Sequence, residues 1–391
     1  MRKVIYYKDG SYLPITETFI YGKIKNLKRY KPIIYATKIE HLDIFPTEYI
    51  RSLDLKLVII RDFYNFFNYY CKKILNFYPQ FIFHLKKDRP NLIHAHFGPS
   101  GYSFLKLKQI FRLPIITSFY GFDLGLLPEK YPAWKMRYGK LFQEGELFLV
   151  EGNHMRQSLV KLGCPEEKIV VQHVGVDLER IEFLERKLSI DEEIRILVSS
   201  RFTEKKGIPY AVEAFGLVKQ KNPELRLKLT IIGDSSREYP DQIIEKKKII
   251  NTIEKYNLKN YISMLGLQPY PIFLNELYKH HIFLSPSINA STGDTEGGTP
   301  ASIIEASASG MPILSTTICD IPEVIINGEG GYLVPERNVD VLAERLEFLV
   351  CNPNIWGKMG MSGRKHIKAN YDIKKQVQRL EKIYDNVISG K

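Results

Sequence analysis

One feature limits the fold more than any other: two successive series of short β-branched runs, separated by stretches long enough for helices. The first series is KVIYY (Lys3–Tyr7), PIIYA (Pro32–Ala36), LVII (Leu57–Ile60), NLIHAH (Asn91–His96), PIITS (Pro114–Ser118), LFLVE (Leu147–Glu151) and KIVVQ (Lys168–Gln172). The second is IRILVSS (Ile194–Ser200), LKLTIIG (Leu227–Gly233), YISMLG (Tyr261–Gly266), IFLSPS (Ile282–Ser287), MPILST (Met311–Thr316) and GYLVP (Gly331–Pro335). Continuous apolar runs, unlike alternating ones, mark parallel strands covered on both faces. Strands alternating with helices build βαβ units and doubly wound sheets. The chain is therefore read as α/β, with two Rossmann-like domains, and 391 residues is a length that favours two cores over one.

The charge-rich segment Gly175–Glu193 interrupts the strand pattern and is read as the hinge. It divides the chain into domains 1–177 and 178–370. The tail from 371 to 391 reads as an amphipathic helix, with Ile373, Val377, Leu380, Ile383, Tyr384 and Val387 on one face. That helix has two options: packing back toward the N-terminal domain, or closing the second.

Composition excludes several classes. Hydrophobic residues make up 44% of the chain, which argues against disorder. The cysteines Cys71, Cys164, Cys319 and Cys351 are scattered without a CxxC pair, which fits a reducing compartment and offers no zinc or disulfide framework. The start lacks an apolar signal region, and no run approaches the ~20 apolar residues of a membrane span. A cytoplasmic location is the expectation. The net charge of +12 is lopsided: residues 1–177 hold 27 Lys+Arg against 16 Asp+Glu, and the remainder holds 29 against 28. A basic first half points to an anionic partner or, equally, to solvated helix faces.

The stretch GDTEGGTPASIIEASASGMPILS (Gly293–Ser315) carries the clearest chemistry. It follows the strand run IFLSPS, and ligands of doubly wound sheets bind beyond the carboxyl ends of strands. Thr299 is placed to N-cap a helix over Pro300–Ser309, with Pro300 in its first position. Gly310 would end that helix in a left-handed conformation, and Pro312 would prevent its continuation. The helix N-terminus suits a diphosphate, and Gly297 and Gly298 let backbone approach a ligand closely. Glu305, flanked by Ile303, Ile304 and Ala306, needs hydrogen-bond donors, which sugar hydroxyls supply. Glu296 stands just before the helix. The alternative is a solvent-facing Glu305 and a Glu296 that merely favours the helix dipole. SSRFTEKKG (Ser199–Gly207) ends another strand run and offers Arg201 and Lys206 to the same anion.

These segments, together with ITETFI (Ile15–Ile20), LIHAHFGPSG (Leu92–Gly101), TSFYGFD (Thr117–Asp123), LVKLGCPEEKIVVQHVGVD (Leu159–Asp177), LTIIGD (Leu229–Asp234) and IPEVIINGEGGYLVP (Ile321–Pro335), make the chain resemble the retaining glycosyltransferases of family 4, closest to the exopolysaccharide, colanic-acid-type branch. The resemblance implies a GT-B fold, two Rossmann-like domains facing a central cleft, with donor on the C-terminal domain and acceptor on the N-terminal one. It implies Arg201, Lys206 and Glu296 as catalytic residues, and Gly297, Gly298, Thr299, Glu305 and Tyr120 as donor-binding ones. It implies no metal and no cofactor beyond the nucleotide-sugar substrate, and no nucleic-acid partner. Two departures stand out. Eight residues separate Glu296 from Glu305 where the family usually has seven. Tyr120 stands where the family often has histidine, which makes His94, His96 and Asp123 further acceptor or cleft candidates.

The implied activity is sugar transfer with retention, from a nucleotide-sugar to a saccharide or lipid-pyrophosphate-linked acceptor, in cell-surface polysaccharide synthesis. A nucleotide-sugar epimerase and a non-catalytic sugar-nucleotide binding protein are the alternatives on the same fold. Phe63–Asn91 mixes aromatics with Lys72, Lys73, Lys86, Lys87 and Arg89. It reads either as a face for an anionic membrane at the inner side of the cell or as core helices with basic edges.

Overall fold

The computed structural model describes residues 1–14, 17–53 and 58–390. The chain forms two compact units, one of Met1–Gly175 with Ile373–Lys391, the other of Val176–Asp372. Ile15, Thr16 and Leu57 lie outside the described residues.

The first unit holds a seven-stranded sheet of β1 (Arg2–Tyr12), β2 (Tyr30–Ile39), β3 (Ile50–Ser52), β4 (Leu92–His96), β5 (Ile115–Ser118), β6 (Leu147–Val150) and β7 (Ile169–Val171). Its spatial order is β3-β2-β1-β4-β5-β6-β7, with every pair parallel. The second unit holds β8 (Ile194–Ser199), β9 (Leu227–Ile232), β10 (Ile262–Gly266), β11 (Ile282–Ser285), β12 (Ile313–Thr316) and β13 (Gly331–Val334) in the order β10-β9-β8-β11-β12-β13. These too are all parallel. In each sheet the chain starts in the middle, winds to one edge, then returns and winds to the other. The reversal leaves a switch point between β1 and β4, and another between β8 and β11.

Twelve of the expected runs form strands within these sheets. LVII is the exception: from Val58 onward it begins the helix Val58–Leu75. A short apolar run has no periodicity of its own, and here the periodic sequence after it continues the helix. The strand missed is β3, three residues at the sheet edge with too little apolar content to read.

Each unit buries its own core. In the second, Ile196, Val198, Leu229, Ile231 and Leu284 meet Phe215 and Leu346 from the covering helices. In the first, one face of the sheet carries Ile5, Tyr7, Ile93 and Ala95, packed with Phe104 of the helix Gly98–Phe111, and the other carries Val4, Tyr6, Ile34 and Ile116. That second face is covered by the C-terminal helix Ile373–Ser389, whose Leu380, Ile383 and Tyr384 are buried in it. Ion pairs fasten the helix further: Asp385 binds Arg2 and Arg29, and Glu381 accepts from the backbone N–H groups of Lys28 and Arg29. After Gly175 the chain passes into the second unit, where the buried Arg186 guanidinium donates to the carbonyls of Leu277, His280 and Ser309.

Candidate active site

The switch point of the second sheet brings two loops together. One follows β8 and contains Arg201 to Gly207; the other follows β11 and contains Ser287 to Pro300. Gly207 has φ +62°, and a Cβ there would lie 1.9 Å from the Pro286 carbonyl oxygen, so only glycine allows this approach. The backbone N–H of Ile288 donates to the Lys205 carbonyl at 2.8 Å, and the Lys205 ammonium donates to Asp294 and to the Thr295 carbonyl.

Across this seam, the Lys206 ammonium binds both oxygens of Glu296, at 2.9 and 2.7 Å, and the Ser287 hydroxyl donates to Glu296 Oε1 at 2.7 Å. The side chains are 13% and 5% exposed, so this is a buried pair. Burial works to raise the Glu296 pKa. The Lys206 and Lys205 ammoniums and the two hydrogen bonds outweigh it, and the carboxyl sits below its ordinary range. Burial draws the Lys206 ammonium down, and Glu296 restores it only in part. Arg201 is exposed, and among the described residues its guanidinium has no hydrogen-bond or ion-pair partner.

The helix that follows runs over Ala301–Ala308, one residue shorter at each end than the sequence suggests. Pro300, not Thr299, occupies the N-cap position, and no side chain caps the helix. The expected Thr299 cap is therefore absent. With ψ at 128°, Pro300 keeps the chain extended one residue longer and carries the Thr299 hydroxyl away from the first turn. That hydroxyl is buried with no partner among the described residues. In the first turn the Ile303 N–H donates to the Pro300 carbonyl at 3.0 Å, the N–H groups of Ala301 and Ser302 lack intrahelical acceptors, and the preceding Gly297 and Gly298 are buried. The helix ends as expected. Gly310 has φ +92°, its N–H donates to Ser307, and the Met311 N–H donates to Ala306.

Glu305 lies in the middle of this helix and accepts a hydrogen bond from the Tyr270 phenol at 2.8 Å. Burial pushes its carboxyl up to about 7, and the single bond from Tyr270 offsets this only partly. One donor leaves most of the acceptor capacity of a carboxylate unused.

The candidates of the first unit fall into a different environment. His94 and His96 lie two apart on β4, so their rings emerge on the same face, stacked at 4.4 Å. Both nitrogens of His94 are engaged: Nδ1 with the Tyr384 phenol at 2.6 Å and Nε2 with the Ser118 hydroxyl at 2.7 Å. His94 is thus a satisfied, buried histidine. His96 Nδ1 pairs with the Tyr120 phenol at 2.6 Å, and its Nε2 is buried without a partner among the described residues. Burial holds both imidazoles well below their ordinary range, so both are neutral. Tyr120 turns its hydroxyl inward to His96, with its ring between Phe19 and Phe97 and beneath the Lys23 ammonium. Asp123 is fully buried: Oδ2 accepts from the Gly98 N–H at 2.8 Å and Oδ1 from the Tyr120 N–H at 2.9 Å. It caps the helix Gly98–Phe111 and shapes the loop after β5. Burial raises it to about 6 against those backbone bonds.

The structure thus gathers Arg201, Lys206, Glu296, Gly297, Gly298, Thr299 and Glu305 in the second unit, and His94, His96, Tyr120 and Asp123 at the β4 and β5 ends of the first. Ser287, Tyr270 and Ser118 were not singled out beforehand, and Tyr384 only as part of the apolar face of the C-terminal helix. Ser287 sits inside the quoted IFLSPS segment and Ser118 inside TSFYGFD; Tyr270 carries no motif signal. Among the described residues, no three His, Cys, Asp or Glu side chains gather where a metal ion could be held.

Comparison with known proteins gives consistent matches. Residues 180–366 match the family model described as Glycosyl transferases group 1, and residues 40–180 match Glycosyltransferase Family 4. The chain is 34% identical over 260 residues to the putative colanic acid biosynthesis glycosyltransferase WcaL of Escherichia coli, covering 66% of this chain and 61% of that protein. It is 33% identical over 254 residues to the amylovoran biosynthesis glycosyltransferase AmsK of Erwinia amylovora, covering 64% and 58%. The chain therefore spans about three fifths of the length of these relatives. Among solved structures it is similar to sucrose-phosphate synthase of Thermosynechococcus elongatus, with TM-score 0.78, 16% identity and 100% of each chain covered. It is also similar to Anabaena Alr3699/HepE in complex with UDP and glucose, with TM-score 0.77, 13% identity and 99% and 100% covered. The two parallel-sheet halves are those of the GT-B fold.

Proposed function

From a chain with two GT-B halves, each matching a glycosyltransferase family model, we propose that it transfers a sugar from a nucleotide-sugar to a saccharide or lipid-linked saccharide, with retention, in exopolysaccharide synthesis. The observation that carries this reading is the switch point of the second sheet. A buried Lys206–Glu296 pair, a bare helix N-terminus behind two glycines, an unpartnered Thr299 hydroxyl, the open Arg201 and an under-satisfied Glu305 stand on adjoining loops. In the proposal the diphosphate lies on the helix N-terminus and accepts from Arg201 and Lys206. Glu305 accepts from the ribose diol. Glu296 stays ionised and faces the transferring sugar. Charge that develops on the leaving phosphate as the C1–O bond breaks is met by Arg201, Lys206 and the backbone N–H groups. The acceptor hydroxyl attacks from the face the diphosphate leaves, and its proton passes to the departing phosphate. The acceptor is assigned to the first unit. The relatives' printed roles in colanic acid and amylovoran synthesis support the polysaccharide setting, and the UDP and glucose of the Anabaena structure support the donor class.

The test is product analysis by NMR with a nucleotide-sugar and a lipid-pyrophosphate-linked saccharide. An elongated acceptor with the donor's anomeric configuration is expected. Free epimerised donor would replace the proposal with an isomerase. Intact donor that binds but does not turn over would replace it with a binding protein.

Peripheral contact with an anionic bilayer is part of the same proposal. No helix among the described residues is long and apolar enough to cross a membrane. On the helices Val58–Leu75 and Gln80–Asp88, however, Phe66, Phe67, Tyr69, Tyr70, Ile74 and Phe83 are exposed beside exposed Lys73, Lys86, Lys87 and Arg89. Aromatics flanked by lysines suit the headgroup region. Flotation with anionic liposomes at low salt is expected, and binding only to neutral ones, or to none, would remove this part.

A further inference from the structure

Lys23 lies in the helix Thr18–Asn26, which follows β1 at the switch point of the first sheet. The residue is 2% exposed. Lysines are almost never buried this fully without a partner, because a cation in the protein interior forfeits its hydration. Yet among the described residues the Lys23 ammonium has no hydrogen-bond or ion-pair partner. What it has is the Tyr120 ring, whose centroid is 5.4 Å from Nζ. A ring face offsets part of the lost hydration and leaves three N–H donors without an acceptor.

The charged groups on the surrounding elements are committed elsewhere. Lys8 of β1 and Glu17, just before the helix, bind each other. In the C-terminal helix, Glu381 accepts from Lys28 and Arg29, and Asp385 from Arg2, Arg29 and the Tyr30 phenol. His94 and His96 on β4 are neutral. Burial draws the Lys23 ammonium down to about 8, and the charge of Glu151, which follows β6, offsets this only in part. At neutral pH the side chain therefore still carries its proton.

A second polar group without a partner adjoins this cation. Tyr120 joins the two: its ring lies beneath the Lys23 ammonium, and its phenol meets His96 Nδ1 at 2.6 Å. The other nitrogen of that imidazole, Nε2, is buried without a partner among the described residues. Both groups thus gather on one tyrosine beyond the carboxyl ends of β4 and β5, where doubly wound sheets bind ligands. Folding alone gives no reason to keep a charge there, since an apolar side chain of the same length fills the place without the cost. A ligand that brings an oxyanion does.

We propose that Lys23 is an acceptor-binding residue whose ammonium takes a phosphate or carboxylate oxygen carried by the acceptor, with His96 Nε2 left for a neighbouring hydroxyl. This rests on the reading that the first unit receives the acceptor of a sugar transfer, and it gives that acceptor a chemical class: an anionic saccharide, or a saccharide on an anionic carrier. Lys206 shows the contrast. There the buried ammonium already has its carboxylate in Glu296; at Lys23 the ligand supplies it.

The test uses the full chain and two readouts, neither of which needs turnover. The first is thermal melting without ligand. Because burial lowers the Lys23 pKa from 10.5 to about 8, the cost to the fold is full below that value and fades as pH rises to 10.5, where the unfolded chain loses the proton too. Lys23→Met should therefore melt higher than wild type at pH 7, and the gain should shrink toward pH 10. A variant that melts lower at pH 7 would show that the ammonium serves the fold, and would overturn the proposal. The second readout is calorimetric binding at pH 7 of geranyl pyrophosphate, methyl glucuronide and the neutral methyl glucoside. The neutral glycoside should bind worst, and whichever anion binds tells a phosphate-bearing carrier from an acidic sugar. Lys23→Met should weaken that binding about tenfold or more, and raising the pH to 9 should weaken it in wild type as the ammonium deprotonates. Arg201→Ala should leave it in place, which separates this site from the diphosphate site of the second unit. Anion binding that Lys23→Met leaves unchanged, or none with any probe, would overturn the proposal. If these results hold while product analysis finds no transfer, the anion site stands and the glycosyltransferase reading falls.

Discussion

The two switch points of this molecule have the same topology and opposite chemistry. Beyond β8 and β11 stand ionised groups, spare backbone donors and an exposed guanidinium. Beyond β4 and β5 stand neutral imidazoles and hydroxyls that satisfy one another. The difference follows from what each edge leaves unpaired. The second unit leaves Thr299, Arg201 and a helix N-terminus open, which suits a multiply charged anion. On β4 and β5 the first leaves His96 Nε2 and the Thr117 hydroxyl buried without partners among the described residues, and its other polar side chains there are paired with one another. One edge is built to meet charge; the strands of the other present neutral groups.

Breaking the charged edge should give the largest effect. Lys206→Ala strands Glu296 as a buried, unpaired carboxylate, so it is expected to cost about 3–5 kcal/mol of stability as well as nearly all turnover. The double variant Lys206→Ala with Glu296→Ala should recover much of the stability and none of the activity. Chemical denaturation with activity assays separates the two, and a Lys206→Ala protein as stable as wild type would contradict the pair's burial.

Glu305→Gln sharpens the same edge. Because burial favours the protonated acid in the folded state, Glu305 costs nothing at low pH, and its cost grows as pH rises from the ordinary carboxylate range to about 7, then stays constant. The variant should therefore gain stability relative to wild type at pH 8, by about 1 kcal/mol once the residue's remaining solvent contact is allowed for, and not at pH 5. A ribose diol donating to the carboxylate would lower its pKa, so nucleotide binding near pH 7 should release protons. Calorimetry in buffers of different ionisation enthalpy reads this, and Glu305→Gln should abolish it while weakening binding about tenfold or more.

On the neutral edge, Asp123→Asn should lower stability by about 1–3 kcal/mol, because an amide can meet only one of the two backbone N–H groups. Donor affinity should stay unchanged. A selective loss of donor binding would return Asp123 to the substrate-facing set.

Much of this was legible in the sequence. Continuous apolar runs located twelve strands because buried parallel strands leave that signature whatever covers them. LVII misled because four apolar residues fit either a strand or the first turn of a helix, and only the residues after it decide. The charged edge was readable as well, since Arg201, Lys206, Glu296 and Glu305 lie in compact motifs beside glycines. The neutral edge was not. Its partners come from β1, β4, β5 and a helix nearly three hundred residues downstream of His94. No local spacing announces that Tyr384 meets His94, or that Asp123 faces two backbone N–H groups. Thr299 shows a finer limit: a Thr-Pro pair before a helix fits a cap, yet Pro300 took that position itself.

The central claim is that the second switch point holds the diphosphate of a nucleotide-sugar. Thermal-shift titration of wild type and Arg201→Ala against UDP-, GDP- and ADP-sugars tests it most directly. Arg201 is exposed and unpaired among the described residues, so its removal should leave the unliganded melting temperature in place. The account predicts that one donor class stabilises the wild type selectively, and that Arg201→Ala loses most of that shift. Equal shifts in both proteins, or no shift with any donor, would contradict it.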